Sequence, residues 1–317
     1  MVMMTTTTTT TATATTAPAI AARPGAVKTD YCLGLADMAV AALIDEVTLT
    51  PKPGLVDLRS RGAHHDLSWD LMCHSAWALH PTFLAMAQAG CDDRSGHLQP
   101  LRETIGAIGR SGEQAMLSAT GGINTHRGAI WALGLLVTAA AQGQGREPGQ
   151  RQSGQAAVAA RAGALARISD RFAPANTGNN GERVRREHGV GGAVAQAQAG
   201  FPHVIGIALP ALQAARWRGA GENAARLNAL LAIIAELDDT CVLSRGGLDA
   251  LLAVQKGAAC VLAAGGAACL PGQHALQWYE QDLLARHVSP GGAADLLAAT
   301  LLLDRIATER MHEERKY

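Results

Sequence analysis

Asp30-Tyr31-Cys32-Leu33-Gly34-Leu35-Ala36-Asp37-Met38-Ala39-Val40-Ala41-Ala42-Leu43-Ile44-Asp45-Glu46-Val47 decides the fold of this chain. Leu33, Ala36, Val40, Leu43 and Val47 recur at steps of three and four, the spacing of one face of an α-helix. The same period returns almost to the C-terminus. It predicts a first helix to about Glu46, and a second that Ser68 caps and that carries Leu71, Met72, Ser75, Leu79 and Phe83 on one side. Further helices are expected over about 98–119, 125–142, 155–171, 190–198, 203–217, 222–237, 246–264, 273–287 and 290–310. No period-2 run of β-branched residues is long enough for a strand, and no fixed-period repeat points to a solenoid. The expected fold is all-α, with residues 30–317 as one compact domain and residues 143–154 as a flexible insert inside it.

Composition agrees. Ala, Leu and Gly carry the hydrophobicity while only 3% of residues are aromatic, which suits close-packed helices better than a β-sandwich. Lys plus Arg equals Asp plus Glu at 27 each, so no global basic field points to nucleic acid. The six cysteines form no C-x-x-C pair, and their spacing fits neither a zinc site nor a disulfide framework; buried free thiols in a reducing cytoplasm are expected. Residues 1–29, threonine- and alanine-rich, lack the basic and apolar regions of a secretory signal and are expected to be a disordered extension. The later alanine-rich segments are cut by Gly, Gln and Arg, so no membrane span is expected.

Outward from the first helix, four interruptions concentrate ionisable side chains. Leu49 to Asp66 holds Lys52, Asp57, His64, His65 and Asp66 on a backbone stiffened by Pro51 and Pro53. Thr120 to Gly128 offers Asn124 or Thr125 as a cap, then His126 and Arg127 in a first helical turn, the arrangement of an anion site. Gly128 in that turn weakens the helix and permits close ligand approach. Upstream, Glu113 is a carboxylate in a modestly polar helix. The third interruption, Glu236 to Gly247, holds Asp238, Asp239 and Arg245. Adjacent aspartates at the carboxyl end of a helix oppose its dipole, which a divalent cation offsets and solvation explains equally well. The fourth, Ser289 to Leu297, opens a helix with Gly291 and Gly292, weakening it unless backbone is pressed against a ligand or another helix. Between them, Gly181 to Gly189 reads as a basic loop whose arginines suit phosphate or solvent.

Thr50-Pro51-Lys52-Pro53-Gly54-Leu55-Val56-Asp57, Gly62-x-His64-x-Asp66, Gly122-Ile123-Asn124-Thr125-His126-Arg127-Gly128, Gly200-Phe201-Pro202, Asp238-Asp239-Thr240 and Ser289 to Leu297 together resemble the triphosphoribosyl-dephospho-coenzyme A synthase family. The segments lie in family order from about residue 33 to 310, closer to the malonate decarboxylase branch than to the citrate lyase branch. His65, Cys241 and Arg127, where a lysine is expected, depart from the pattern, and Arg for Lys changes the geometry of a phosphate contact.

The resemblance implies a cytoplasmic transferase that takes ATP and 3′-dephospho-coenzyme A, releases adenine, and joins the ribose C1 to the 2′-hydroxyl of the dephospho-coenzyme. Its product would pass to a holo-acyl-carrier-protein synthase. Cleaving a ribosyl–adenine bond passes through an oxocarbenium-like state, in which a carboxylate activates the incoming oxygen. His64, Asp66 and Glu113 are the candidates, with Asp66 assisted by His64 preferred. Lys52, Asn124, Thr125, His126, Arg127, Arg245, Gly291 and Gly292 are the expected substrate and phosphate contacts. Mg²⁺ is expected with the triphosphate, on Asp238 and Asp239 with Asp57 and Asp66 in reserve. The competing readings are an all-α hydrolase of ADP-ribose-type glycosides and a non-catalytic helical assembly factor.

Overall fold

The computed structural model describes Met1 and residues 24–93, 96–144, 154–174, 178 and 180–314. Among these all regular structure is helical: α1 (Pro24–Thr48), α2 (Trp69–Ala78), α3 (His80–Asp92), α4 (Leu98–Ala119), α5 (Arg127–Gln144), α6 (Gln155–Ala166), α7 (Asn180–His188), α8 (Gly192–Gln198), α9 (Leu209–Trp217), α10 (Glu222–Glu236), α11 (Thr240–Ala263), α12 (Leu270–Ala285) and α13 (Gly291–Glu314). A short π-helical turn, Val204–Ala208, leads into α9, and a 3₁₀ turn, Gly266–Ala268, into α12. The all-α fold is as expected.

The core is built on α5. Ala129, Ile130, Leu133, Leu136, Val137 and Ala140 are buried, and α3, α4, α6 and α13 pack around it. Small residues let the axes approach closely: a Cβ on Gly90 of α3 would collide with the Thr138 carbonyl of α5. α1 lies across α3 and α13, and α10 joins α9, α11 and α13 on the other side. A smaller apolar cluster of Val47, Val56 and Leu67, with Trp69 and Met72 against it, holds the 49–66 loop to α1 and α2.

Several boundaries differ from the expectation. α1 begins at Pro24, so the last residues of the supposed extension are helical, and Lys28 pairs with Asp92; the rest of that extension, like the core of the supposed insert at 143–154, lies outside the described residues. The expected second helix is two, because Pro81 sits in the first turn of α3 and cannot continue the hydrogen-bond ladder of α2. The basic stretch 181–189 is mostly α7 rather than a loop. α11 starts at Thr240 and runs through a kink at Gly247, whose φ of 68° is the left-handed conformation that glycine adopts without strain. By length and apolarity α11 is one helix that passes the test for a membrane span, though it carries Arg245, Asp249 and Lys256. All six cysteines are free, but only Cys32 is fully buried, and Cys241 and Cys260 are exposed.

Candidate active site

One cavity of about 590 Å³ collects all four interruptions. Its wall draws on the end of α1, the 49–66 loop, the start of α5, α7 and α8, the junction of α10 and α11, and the start of α13. Leu43, Leu55, Val56, Leu67 and Met72 make an apolar side; Arg127, Arg185 and Arg245 bring cationic side chains to the wall.

At the floor Lys52 is 2% exposed, and its ammonium donates to Glu46 Oε1 at 2.5 Å. Burial pushes the Glu46 carboxyl up, opposed by the lysine charge. Lys52 lines the cavity, with one of its three ammonium donors given to a carboxylate. Asp57, expected as a reserve metal ligand, does not line the cavity. Its Oδ1 accepts from the N–H groups of Arg59 and Ser60 at 2.8 and 2.9 Å, and its Oδ2 from Lys52 N–H at 3.1 Å. It closes the loop on itself, with Arg59 reaching on to Glu280 at 2.8 Å.

Asp66 and His64, the preferred pair, both line the cavity, but the His64 ring is engaged elsewhere. Arg245 donates to His64 Nδ1 at 3.0 Å, so the proton sits on Nε2, which donates to Ser289 Oγ at 2.9 Å. Burial, and then the Arg245 charge, lower the His64 pKa to about 4. Asp66 Oδ1 stands 3.6 Å from a nitrogen whose lone pair is already used, and its side chain is 62% exposed. His64 therefore clamps the loop to α11 and to the start of α13. Glu113 is not in the wall either; it holds the guanidinium of Arg127, which is.

Asn124 Oδ1 accepts from Arg127 N–H at 3.2 Å and caps α5, as expected. Ser75 Oγ is shared between Thr125 Oγ1 at 2.6 Å and His126 Nδ1 at 2.9 Å. His126 is buried and neutral, its pKa lowered to about 3 by burial and by Lys52, and its Nε2 has no partner among the described residues.

The Asp238–Asp239 pair follows the end of α10, as expected, and also opens the next helix. Asp239 is the N-cap of α11: its Oδ1 accepts from Cys241 N–H at 2.8 Å, and its Oδ2 from Ala293 N–H at 2.9 Å in the first turn of α13. A carboxylate there is favoured by both helix dipoles, which removes the electrostatic oddity. Burial nonetheless pushes its pKa up. Asp238 is exposed and lines the cavity. Gly291 and Gly292 answer to side chains of the α11 start: an added Cβ would meet Cys241 Sγ and the Asp239 carboxylate, each at 3.1 Å.

Two carboxylates of the wall, Glu46 and Asp295, are not among the candidates drawn from the sequence. Glu46 sits three residues after Leu43 on the apolar face of α1, and that placement was its signal. Asp295, five residues into α13, lines the cavity and makes no hydrogen bond or ion pair among the described residues. Burial, then the charges of Glu46 and Asp239, push its pKa up. Gly128 is explained by it, since a Cβ there would collide with Asp295 Oδ2. Ser75, a polar residue on the buried stripe of α2, carried a similar signal.

The described residues contain no group of three or more metal-ligating side chains. What the wall offers is carboxylates, cationic groups and an apolar side.

Residues 32–313 match the family described as ATP:dephospho-CoA triphosphoribosyl transferase (CitG). The chain is 55% identical over 273 residues to a 2-(5''-triphosphoribosyl)-3'-dephosphocoenzyme-A synthase from Klebsiella pneumoniae, covering 86% of this chain and 94% of the relative. It is 56% identical over 275 residues, 86% of this chain and 90% of the relative, to the Azotobacter vinelandii protein named "Probable 2-(5''-triphosphoribosyl)-3'-dephosphocoenzyme-A synthase". No solved structure matches. A cavity to which each of the six family segments contributes at least one lining residue, and a match running nearly end to end, lead to one conclusion: the chain belongs to the ATP:dephospho-CoA triphosphoribosyl transferase family and is a transferase.

Proposed function

We propose that this chain transfers the 5-triphosphoribosyl group of ATP to the 2′-hydroxyl of 3′-dephospho-coenzyme A and releases adenine. The observation that carries the reading is the single cavity in which an apolar side, three arginines and unshared carboxylate oxygens face one another. An adenine ring suits the apolar side and polyphosphate suits the arginines, which pair with phosphate oxygens in planar, bidentate fashion. Asn124, Thr125, Gly291 and Gly292, all in the wall, are available as neutral contacts to ribose and phosphate.

Mg²⁺ bound by a nucleotide keeps waters and phosphate oxygens and takes only one or two protein carboxylates. Asp238, exposed at the cavity wall, fits that donor set, with Asp239, whose oxygens each also accept a backbone N–H, as the second carboxylate. When bound, the metal would neutralise triphosphate charge. Asp239→Asn is expected to weaken Mg²⁺-dependent ATP binding strongly in calorimetry, and an unchanged metal titration excludes it as a ligand.

Adenine release from ATP should require dephospho-coenzyme A, and mass spectrometry should find the ATP-derived triphosphoribosyl adduct. Release with water alone would make the protein a hydrolase instead. The same reading places the enzyme in the cytoplasm and hands its product to a holo-acyl-carrier-protein synthase. The malonate decarboxylase branch is the proposed destination, supported by the family segments. Loading of a citrate lyase acyl carrier in preference to a malonate decarboxylase one would reverse it.

A further inference from the structure

The carboxylate oxygens of the cavity differ in what they are free to do. Glu46 holds Lys52, Asp239 caps two helices, Asp66 projects toward solvent, and Asp238 is exposed. Asp295 alone among these is partly buried in the wall with no hydrogen bond and no ion pair among the described residues. Its surroundings are nevertheless specific. It stands one turn into α13, between Glu46 of α1 and Asp239 of the α10–α11 junction, with Oδ2 against the Cα of Gly128 at the first turn of α5. A side chain of any size at 128 would push that carboxylate away. The glycine weakens the helix it opens, so the seat exists at some cost in stability.

We infer that Asp295 is the general base of the transfer, the group that touches the attacking hydroxyl, and that Gly128 is the positioning residue that seats it. The inference rests on the functional reading above. The hydroxyl O–H bond breaks as its proton passes to an Asp295 oxygen, the new O–C1′ bond forms, and the C1′–N9 bond breaks with its electron pair leaving on adenine. Adenine departs carrying one proton, which balances the one given up by the hydroxyl and returns Asp295 to its starting state. A base with no protein partner is what such a step needs, because a carboxylate already accepting hydrogen bonds is a weaker proton acceptor.

The test uses the full chain, with adenine release measured at saturation in both substrates, KM for each, and Mg²⁺-dependent ATP binding by calorimetry. Asp295→Asn keeps the shape and loses the basic oxygen. It should lower kcat by roughly 10²–10⁴-fold, the usual worth of a general base, with ATP binding and both KM values little changed. Gly128→Ala leaves Asp295 chemically intact and should reproduce the kcat loss with ATP binding retained. Gly128→Ser should do no better. An Asp295→Asn enzyme within about threefold of wild-type kcat overturns the assignment, and so does a variant in which kcat is unchanged but ATP or metal binding is lost. A Gly128→Ala enzyme that folds and turns over normally overturns the positioning role. Wild-type protein that releases no adenine from ATP and dephospho-coenzyme A overturns the functional reading and this inference with it.

Discussion

Lys52 and Glu46 form a charge pair removed almost wholly from water, with side chains 2% and 5% exposed. Removing one partner of such a pair strands the other charge and typically costs about 3–5 kcal/mol, whereas removing both is often close to neutral. Lys52→Met should therefore destabilise the protein by about that amount in urea titrations, and Lys52→Met with Glu46→Gln should recover most of it. A double variant as unstable as the single one would show that Lys52 stabilises through packing alone. The lysine and its stiff loop were legible in the sequence. Its burial was not, because Glu46 reads as an ordinary charge in the last turn of a helix until the loop folds back over it. Asp57 misled for the same reason: a short loop carboxylate looks the same whether it faces a ligand or gathers its own backbone N–H groups.

The start of α11 couples three helices through one side chain. Asp239 ends the connection from α10, caps α11 and accepts from the first turn of α13. Asp239→Ala strips both N-termini of an acceptor and leaves their buried N–H groups unpaired. Each lost cap costs about 0.5–2 kcal/mol, so a clear fall in melting temperature is expected by circular dichroism. Asp239→Asn keeps one acceptor oxygen and should fall less. Equal losses would show that the carboxylate charge at the two helix starts matters more than the hydrogen bonds. The sequence pattern drew this helix from 246, because Gly246-Gly247 looks like a break. The kink at Gly247 instead lies inside one continuous element, which begins at Thr240 behind the Asp239 cap.

For the molecule as a whole, two histidines, His126 buried and His64 half-buried, link stability to pH. Burial lowers the pKa of His126 to about 3 and that of His64 to about 4, against 6.5 for a free imidazole. Their neutral forms are therefore favoured on folding. This contribution is fully present above pH 6.5 and is lost as pH falls through the window down to the folded values, because there only the unfolded chain binds the protons. The buried carboxyls Glu46, Asp239 and Asp295, all pushed up, act with the opposite sign. The clean measurement is thus a difference. Between pH 6.5 and 4.5 wild-type protein should lose up to about 1.4 kcal/mol per pH unit more than His126→Gln, one proton's worth of linkage. Parallel stability curves would mean that His126 charges freely in the folded state. By itself the sequence determined the helices and the order of the polar interruptions, because a 3.6-residue period and the cost of Gly and Pro in a helix are local properties of the chain. It also determined the family segments, which are contiguous. Only the tertiary structure decided which charges meet: Glu46 with Lys52, Arg245 with His64, Asp295 against Gly128. Periodicity marks the face of a helix that is buried, but not the partner it is buried against. That choice is made by packing among helices as far apart in the chain as α1, α5 and α13.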